Sequence, residues 1–287
     1  MAITAAMVKE LRERTGLGMM DCKKALEEAG GDMELAIEEL RKKSALKAAK
    51  KAGRTTADGL LGVRVADDGS KGAIVEVNIE TDFAAKNEKF IAYVGHVLDT
   101  VFETGETDVG RLLDGELGRL RETLVQEIGE NITVRRAACL TGGRVYEYLH
   151  GDNKKGTLVA LSGDNAELGR DIAMHVTAIN PLVVTSEQVS ADVLAKEREI
   201  YTSQAAESGK PADIVEKMVE GRVRKFLAEV SLLDQPFVKD GNVKVGKLLE
   251  QAGLTCQGFV RYEVGEGIEV EQADFAAEVA AQVKGAR

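Results

Sequence analysis

The stretch Gly59 to Val77, GLLGVRVADDGSKGAIVEV, decides the fold. Leu61, Val63 and Val65 alternate with other residues, Asp67-Asp68-Gly69 supplies a turn, and Ala73 to Val77 returns as a second arm, so the segment reads as a β-hairpin. From Thr81 the period lengthens, and Phe90, Ile91, Val94, Val97, Leu98 and Val101 mark a helix. The same plan recurs downstream. Val145 to Leu149, the turn Gly151-Asp152-Asn153, Gly156 to Leu161 and a helix from about Glu167 to Ile179 repeat hairpin plus helix, and Lys71-Gly72-Ala73-Ile74-Val75 aligns with Lys155-Gly156-Thr157-Leu158-Val159. The expectation is an α+β core built from two β-β-α halves. Between the copies, Arg111 to Ile128 reads as a second helix with Leu113, Leu117, Leu120 and Leu124 on one face, and Asn131 to Leu140 as a further strand.

On the N-terminal side, three short helices are punctuated by glycine. Thr4 can cap the first, Gly16 and Gly18 break it, Asp21 can cap a second that ends at Gly30-Gly31, and Asp32 can cap a third carrying Leu35, Ile37 and Leu40. Residues 1–54 therefore form a small three-helix bundle, similar to ubiquitin-associated docking modules. The basic run from Arg41 to Arg54 reads as a solvated helix end and linker, with a nucleic-acid contact as the alternative; aromatic stacking residues are missing from it.

On the C-terminal side, Pro181 ends the repeated helix. Two longer helical patterns, Ala191 to Glu207 and Pro211 to Leu227 or beyond, are joined by so short a turn that they must lie antiparallel, with Leu194, Ile200 and Tyr201 facing Ile214, Met218 and Phe226. Then come a short helix (Val243 to Ala252), a strand (Cys256 to Val264) and an Ala-rich helix with Phe275, Val279 and Val283 on one side. The expected organisation is a docking bundle at 1–54, core halves at 55–143 and at 144–183 with 233–267, a helical hairpin inserted at 184–232, and a C-terminal helical module at 268–287.

Composition narrows the function. The 287 residues are 44% hydrophobic and 30% charged, the formal net charge is −10, and no stretch approaches the length of a spanning helix. With charges every few residues from its start, the chain is expected to be cytoplasmic and soluble, without a secretory signal. An acidic balance argues against a phosphate backbone as the main partner. Cys22, Cys139 and Cys256 are far apart and odd in number, so they are expected to be buried thiols rather than a disulfide framework or zinc site. No phosphate-cradling loop, H-E-x-x-H or G-x-S-x-G motif occurs, and His96, His150 and His175 are isolated. Neither metal nor cofactor is expected. This is the profile of a binding or regulatory factor rather than an enzyme.

The runs LRERTGLGMMDCKKAL (Leu11 to Leu26), GGDMELAIEELR (Gly30 to Arg41), TDFAAKN (Thr81 to Asn87), IAMHVTA (Ile172 to Ala178), EKMVEGR (Glu216 to Arg222) and QPFV (Gln235 to Val238) closely resemble bacterial translation elongation factor Ts, and the resemblance covers essentially the whole chain. It implies a guanine-nucleotide exchange factor that binds elongation factor Tu, GDP-bound or nucleotide-free, and promotes GDP release by disturbing its magnesium and phosphate site. A protein-interaction adaptor without exchange activity is the alternative.

The resemblance also implies the contacts. Thr81, Asp82, Phe83 and Ala84 form the intruding segment, where Ala84 replaces the family's usual Val. Leu11, Arg12, Thr15, Met19, Met20 and Lys23 belong to the docking bundle, and Ile128, Gly129, His150 and Val238 match partner-facing positions of the core. The bland alternatives are that Phe83 begins the core stripe of its helix, and that Leu11 and one methionine are core. Neither membrane nor nucleic-acid binding is implied. Self-association of the helical hairpin, as a homodimer or a two-plus-two assembly with Tu, is left open.

Overall fold

The computed structural model describes residues 2–207 and 211–269. Its elements in chain order are α1 (Ala5–Thr15), α2 (Met19–Glu28), α3 (Met33–Lys51), β1 (Asp58–Val65), β2 (Lys71–Ile79), α4 (Asp82–Ala85), α5 (Glu88–Thr104), α6 (Val109–Leu113), α7 (Glu116–Ile128), β3 (Ile132–Thr141), β4 (Arg144–Leu149), β5 (Lys155–Leu161), α8 (Ala166–Ile179), α9 (Ala191–Ala206), α10 (Ala212–Val230), β6 (Pro236–Phe237), β7 (Asp240–Lys244), α11 (Val245–Gln251) and β8 (Cys256–Glu263). The fold is α+β. The C-terminal helix expected over 268–287 falls outside the described residues from 270 onward, as does the turn at 208–210.

The core is two antiparallel sheets, ordered β1-β2-β3 and β4-β5-β8, so each half is a hairpin whose second strand also takes a later strand. The sheets face one another across Ile74, Val145, Leu158 and Ala160. On the outer side of the first, Ala73, Val75, Val77 and Ile79 pack with Phe90, Val94 and Val97 of α5; on the outer side of the second, Val159 and Leu161 pack with Ile172, Ala173 and Val176 of α8. The layers therefore run helix, sheet, sheet, helix, and β2 and β5 are buried on both faces. This explains the glycine shared by the repeat. A Cβ on Gly72 would lie 2.9 Å from Leu158 Cδ2, and one on Gly156 3.1 Å from Leu149 and 3.3 Å from Val63, so both positions bring the sheets close.

A charged group lies between the sheets. Glu76 is fully buried on the same β2 face as Ile74. Its carboxylate accepts from Arg135 Nη1 at 3.0 Å, Arg136 Nε at 2.5 Å, Asn78 Nδ2 at 3.1 Å and the backbone N–H of Gly265 at 2.9 Å. Arg136 reaches on to the carbonyl of Glu263 at 3.1 Å and Arg135 to that of Glu266. This network ties the first half to the end of β8, where a buried ion pair is tolerable because its lone pairs are satisfied.

The helices correct the sequence reading in four places. Thr81 starts a single turn, α4, and the helix proper begins after a second cap, Asn87, which accepts from Lys89 N–H at 2.9 Å. The expected helix from Arg111 is two, broken at Asp114-Gly115, and Leu120 is exposed. Asp21 does not cap α2; it sits in the first turn after Gly18. The hairpin pairs through Ala205, Val219 and Val223, flanked by Leu194, Tyr201, Val215 and Leu227, so the α10 stripe is offset by one residue and Ile200 and Ile214 are exposed. The basic run is a largely exposed helix end, as expected, and becomes a connection only after Lys51. It continues α3 to Lys51 and packs on α7 through buried Ser44, which donates to Gln126 Oε1 at 2.7 Å, while Lys42 pairs with Glu38 and Lys43 with Glu28.

The three cysteines are free, and their burial follows expectation at Cys22 only. Cys22 is buried, Cys139 is exposed on β3, and Cys256 is half-buried with its thiol pushed up to about 11 by burial. No helix among the described residues is long and apolar enough to cross a membrane.

Candidate functional site

The site is built around one short connection. After β2, the chain makes the single turn α4 before starting α5, and the root of that turn is anchored by polar groups. The hydroxyl of Thr81 accepts from Ala84 N–H at 3.2 Å and donates to Glu130 Oε1 at 2.8 Å, while its backbone N–H donates to Glu130 Oε2 at 3.0 Å. On the other side of the connection, Glu80 Oε1 accepts from Asn131 N–H at 2.6 Å, and Asn131 Nδ2 donates to the carbonyl of Arg54 at 3.0 Å. The end of α7, the root of α4 and the end of α3 thus meet in one hydrogen-bonded knot. Ala84 and Ala85 turn inward onto the first-half core.

Phe83 is what this scaffold presents. Its side chain is 82% exposed, so it does not begin the core stripe of α5; Phe90 does, fully buried. Beside it, Asp82 bonds Lys86 Nζ at 3.0 Å across one turn, and that ammonium lies 5.9 Å from the Phe83 ring. The Lys86 hydrogen bond and charge, with Lys154 adding to them, hold the Asp82 carboxyl below its usual range.

Lys154 belongs to the β4–β5 turn. That turn is docked on the first half, because Leu61 N–H donates to the carbonyl of Asn153 at 2.8 Å and Lys154 pairs with Asp58. It carries His150, exposed, with Nδ1 3.3 Å from the Tyr148 hydroxyl.

The bundle closes the other flank. An open cleft of about 500 Å³ runs between it and the core, lined by Arg12 and Met19 from the bundle and by Lys89 and Ile128 from α5 and α7. Lys89 Nζ pairs with Glu127 at 2.6 Å and reaches the carbonyl of Gly16 at 3.5 Å, while Gln126 Nε2 donates to Asp21 at 3.4 Å. Met19 and Met20, in the first turn of α2, are 60% and 76% exposed, an apolar and adaptable pair.

The remaining residues divide by burial. Leu11 lies in the bundle core and Ala84 in the first-half core, so neither expected contact residue presents its side chain at the surface; their packing claims them instead. Thr15 turns its hydroxyl back onto the Leu11 carbonyl at 2.7 Å, and Lys23 is exposed beside Glu27. Gly129 ends α7 in the left-handed conformation, φ 86°, and its carbonyl accepts from Lys51. Val238, 42% exposed, stands apart from the cleft on the β6–β7 turn beside α8. Sequence reasoning missed Glu130, Glu76, the Lys89–Glu127 pair and the bonds of buried His175. For Glu130 the available signal was an acid directly after a helix-ending glycine.

Chemically, these groups form an exposed surface of mixed character. The aromatic and methionine side chains supply apolar area and the ion pairs around them supply charge. Among the described residues no group of three or more His, Cys, Asp or Glu is placed to hold a metal ion.

Comparison with known proteins agrees in kind. The family model described as elongation factor TS matches residues 80–266. Proteins named elongation factor Ts are similar along nearly their entire length: that of Hahella chejuensis is 61% identical over 284 residues, 99% of either chain. That of Marinobacter nauticus is 59% identical over 280 residues, 98% of this chain and 97% of its own, and that of Cellvibrio japonicus 56% over 282, again 98% and 97%. On this similarity and on the fold, the chain belongs to the elongation factor Ts family.

Proposed function

We propose that this chain is the guanine-nucleotide exchange factor of elongation factor Tu in translation elongation, acting in the cytoplasm without covalent chemistry of its own. It binds Tu·GDP, and Phe83 is driven into Tu beside the site that holds magnesium and phosphate. Burying a phenylalanine of ~150–200 Å² supplies roughly 4–5 kcal/mol of gross docking energy at ~25 cal/mol per Å². That energy offsets displacement of the groups that bind magnesium, and without the cation's charge the diphosphate is held less well. Because coupling is reciprocal, GDP weakens the factor's own binding by the same ratio, and a nucleotide that restores the same magnesium and phosphate site, GTP included, displaces the factor.

The observation that carries the reading is the 82% exposure of Phe83 on a turn whose root Glu130 grips twice. Arg12, Thr15, Met19, Met20 and Lys23, with Ile128 and Gly129, hold Tu on one flank of the tip. Asp82 and His150 accompany the tip itself, Val238 makes a separate contact, and Leu11 and Ala84 support these from below.

Stopped-flow release of a fluorescent GDP analogue from Tu tests it. Phe83→Ala slows release about 30-fold or more, as expected for an aromatic hot spot of ~2–4 kcal/mol, with an unchanged circular dichroism spectrum. An adaptor without exchange activity would bind Tu while the wild-type chain left GDP release at its spontaneous rate.

A further inference from the structure

Val238 is an exposed apolar side chain whose backbone is held by a histidine that no solvent reaches. His175, on α8, is fully buried against the core shared by Val159, Leu161, Ile172 and Phe237, and its ring lies over that of Phe237 at 6.0 Å between centroids and 29° between planes. Both ring nitrogens are used. The N–H of Val238 donates to His175 Nδ1 at 3.1 Å, and Nε2 lies 2.8 Å from Gln235 Oε1. Gln235 Nε2 in turn donates to the carbonyl of Glu229, in the last turn of α10, at 2.6 Å.

The direction of every bond in this chain follows from its first member. A backbone N–H can only donate, so Nδ1 must carry its lone pair and the ring proton sits on Nε2. Nε2–H then donates to the Gln235 carbonyl oxygen, which leaves the amide nitrogen to donate to Glu229. No other arrangement of protons satisfies all three contacts. An imidazolium, with a proton on each nitrogen, would face the Val238 N–H donor to donor. Burial lowers the His175 pKa, consistent with the neutral ring. The charged groups beside it are Asp171, one turn earlier on α8, and Lys239, which are paired with each other.

We infer that His175 is a positioning residue for Tu binding: as the Nε2–H tautomer, its Nδ1 lone pair fixes the backbone of Val238 and sets the angle at which that side chain meets the partner. The relay also anchors the same turn to α10, the second helix of the inserted hairpin. This rests on the proposed role of Val238 as a Tu contact. Single bonds of this kind are worth about five-fold in binding, which sets the size of the effect.

The test exploits side chains that reproduce one nitrogen at a time. An Asn amide reaches where Nδ1 lies, and a Gln amide reaches where Nε2 lies. In titrations of the full chain with Tu·GDP, His175→Gln weakens affinity about five-fold, His175→Asn recovers most of that loss, and in a Val238→Ala background His175→Gln has no further effect. Equal losses in His175→Asn and His175→Gln, or a His175→Gln loss that persists in full beside Val238→Ala, would overturn the positioning role.

A Val238→Ala chain that binds as tightly as wild type instead removes the contact being positioned. That result also rejects the inference, while Phe83→Ala reports separately on the exchange reading. Nitrogen-detected NMR of the wild-type protein at pH 7 needs no variant to fold: Nδ1 unprotonated with Nε2 protonated is the expected signature, and an Nδ1–H tautomer or an imidazolium would refute it.

Discussion

The two halves of the core share one scaffold and differ where it meets the outside. In the first half, eight residues, 80–87, join β2 to α5; in the second, four residues, 162–165, join β5 to α8. Both connections end in a capping asparagine, Asn87 and Asn165. The longer one spends its additional residues on α4 and Phe83. The shorter is tied down by Tyr146, whose hydroxyl donates to Asp164 at 2.7 Å and accepts from Asn165 N–H at 2.7 Å. Ten residues after each cap the contrast reverses: Val97 is an apolar core residue, while His175 at the matching place is buried and hydrogen-bonded. The plan the halves share accounts for the layers, and the departures from it are an exposed phenylalanine in the first half and, in the second, a buried histidine clamping an added β6–β7 turn.

What holds the unlike halves together is Glu76, and removing it is the severest way to break the comparison. Glu76→Ala takes from Arg135 and Arg136 the carboxylate they share between the sheets; both guanidiniums are partly exposed and Arg136 keeps Glu266, so the loss is expected at about 2–3 kcal/mol, below that of a fully buried pair. Urea unfolding is expected to show that loss. A midpoint within error of wild type would mean that apolar contact between the sheets suffices to join them.

The layers were legible in the sequence because Lys71–Val75 and Lys155–Val159 repeat both the apolar pattern and the glycine, and a period of two is read over as few as five residues. The exposure of Phe83 was legible only through resemblance, since an exposed Phe83 and a buried Phe90 look alike until the second cap at Asn87 is noticed. Glu76 gave no signal: on a strand buried on both faces, alternation no longer tells a solvent-facing acid from one held between sheets. The α10 stripe failed for a related reason, because Val215, Val219, Val223 and Leu227 repeat every four residues beside the larger Ile214, Met218 and Phe226.

A smaller effect separates His175 from Val97 by acidity. The folded protein disfavours protonated His175, while the unfolded chain titrates near the ordinary 6.5, so below that pH the unfolded state binds more protons. Stability therefore falls as pH drops through 6.5, with a slope of at most about 1.4 kcal/mol per pH unit from this one group. His175→Val, which makes the second half match the first, is expected to lower stability at pH 7 by about 1–2 kcal/mol, because Val238 N–H and Gln235 lose their partner, and to flatten the acid side of the profile. An unchanged slope between pH 5 and 6.5 would assign the acid sensitivity to other groups.

The caps give the finest test, because Thr81 and Asn165 do the same local work in different halves. Each side-chain oxygen accepts the N–H three residues on, at 3.2 Å for Ala84 and 3.1 Å for Leu168, so losing the cap should cost about 1 kcal/mol of stability in Asn165→Ala, and Thr81→Ala, which also loses the hydroxyl's bond to Glu130, about 2 kcal/mol. Only Thr81 is also gripped by Glu130, and only its turn bears Phe83. Thr81→Ala should therefore slow GDP release from Tu by about five-fold, the worth of one anchoring bond, while Asn165→Ala leaves the rate unchanged. Slowed exchange in Thr81→Ala beside an unchanged rate in Asn165→Ala, with both proteins still folded, would localise function to the longer connection. Equal slowing by both would mean that the tip acts through the rigidity of the whole core, and that the additional turn is merely where the wedge is attached.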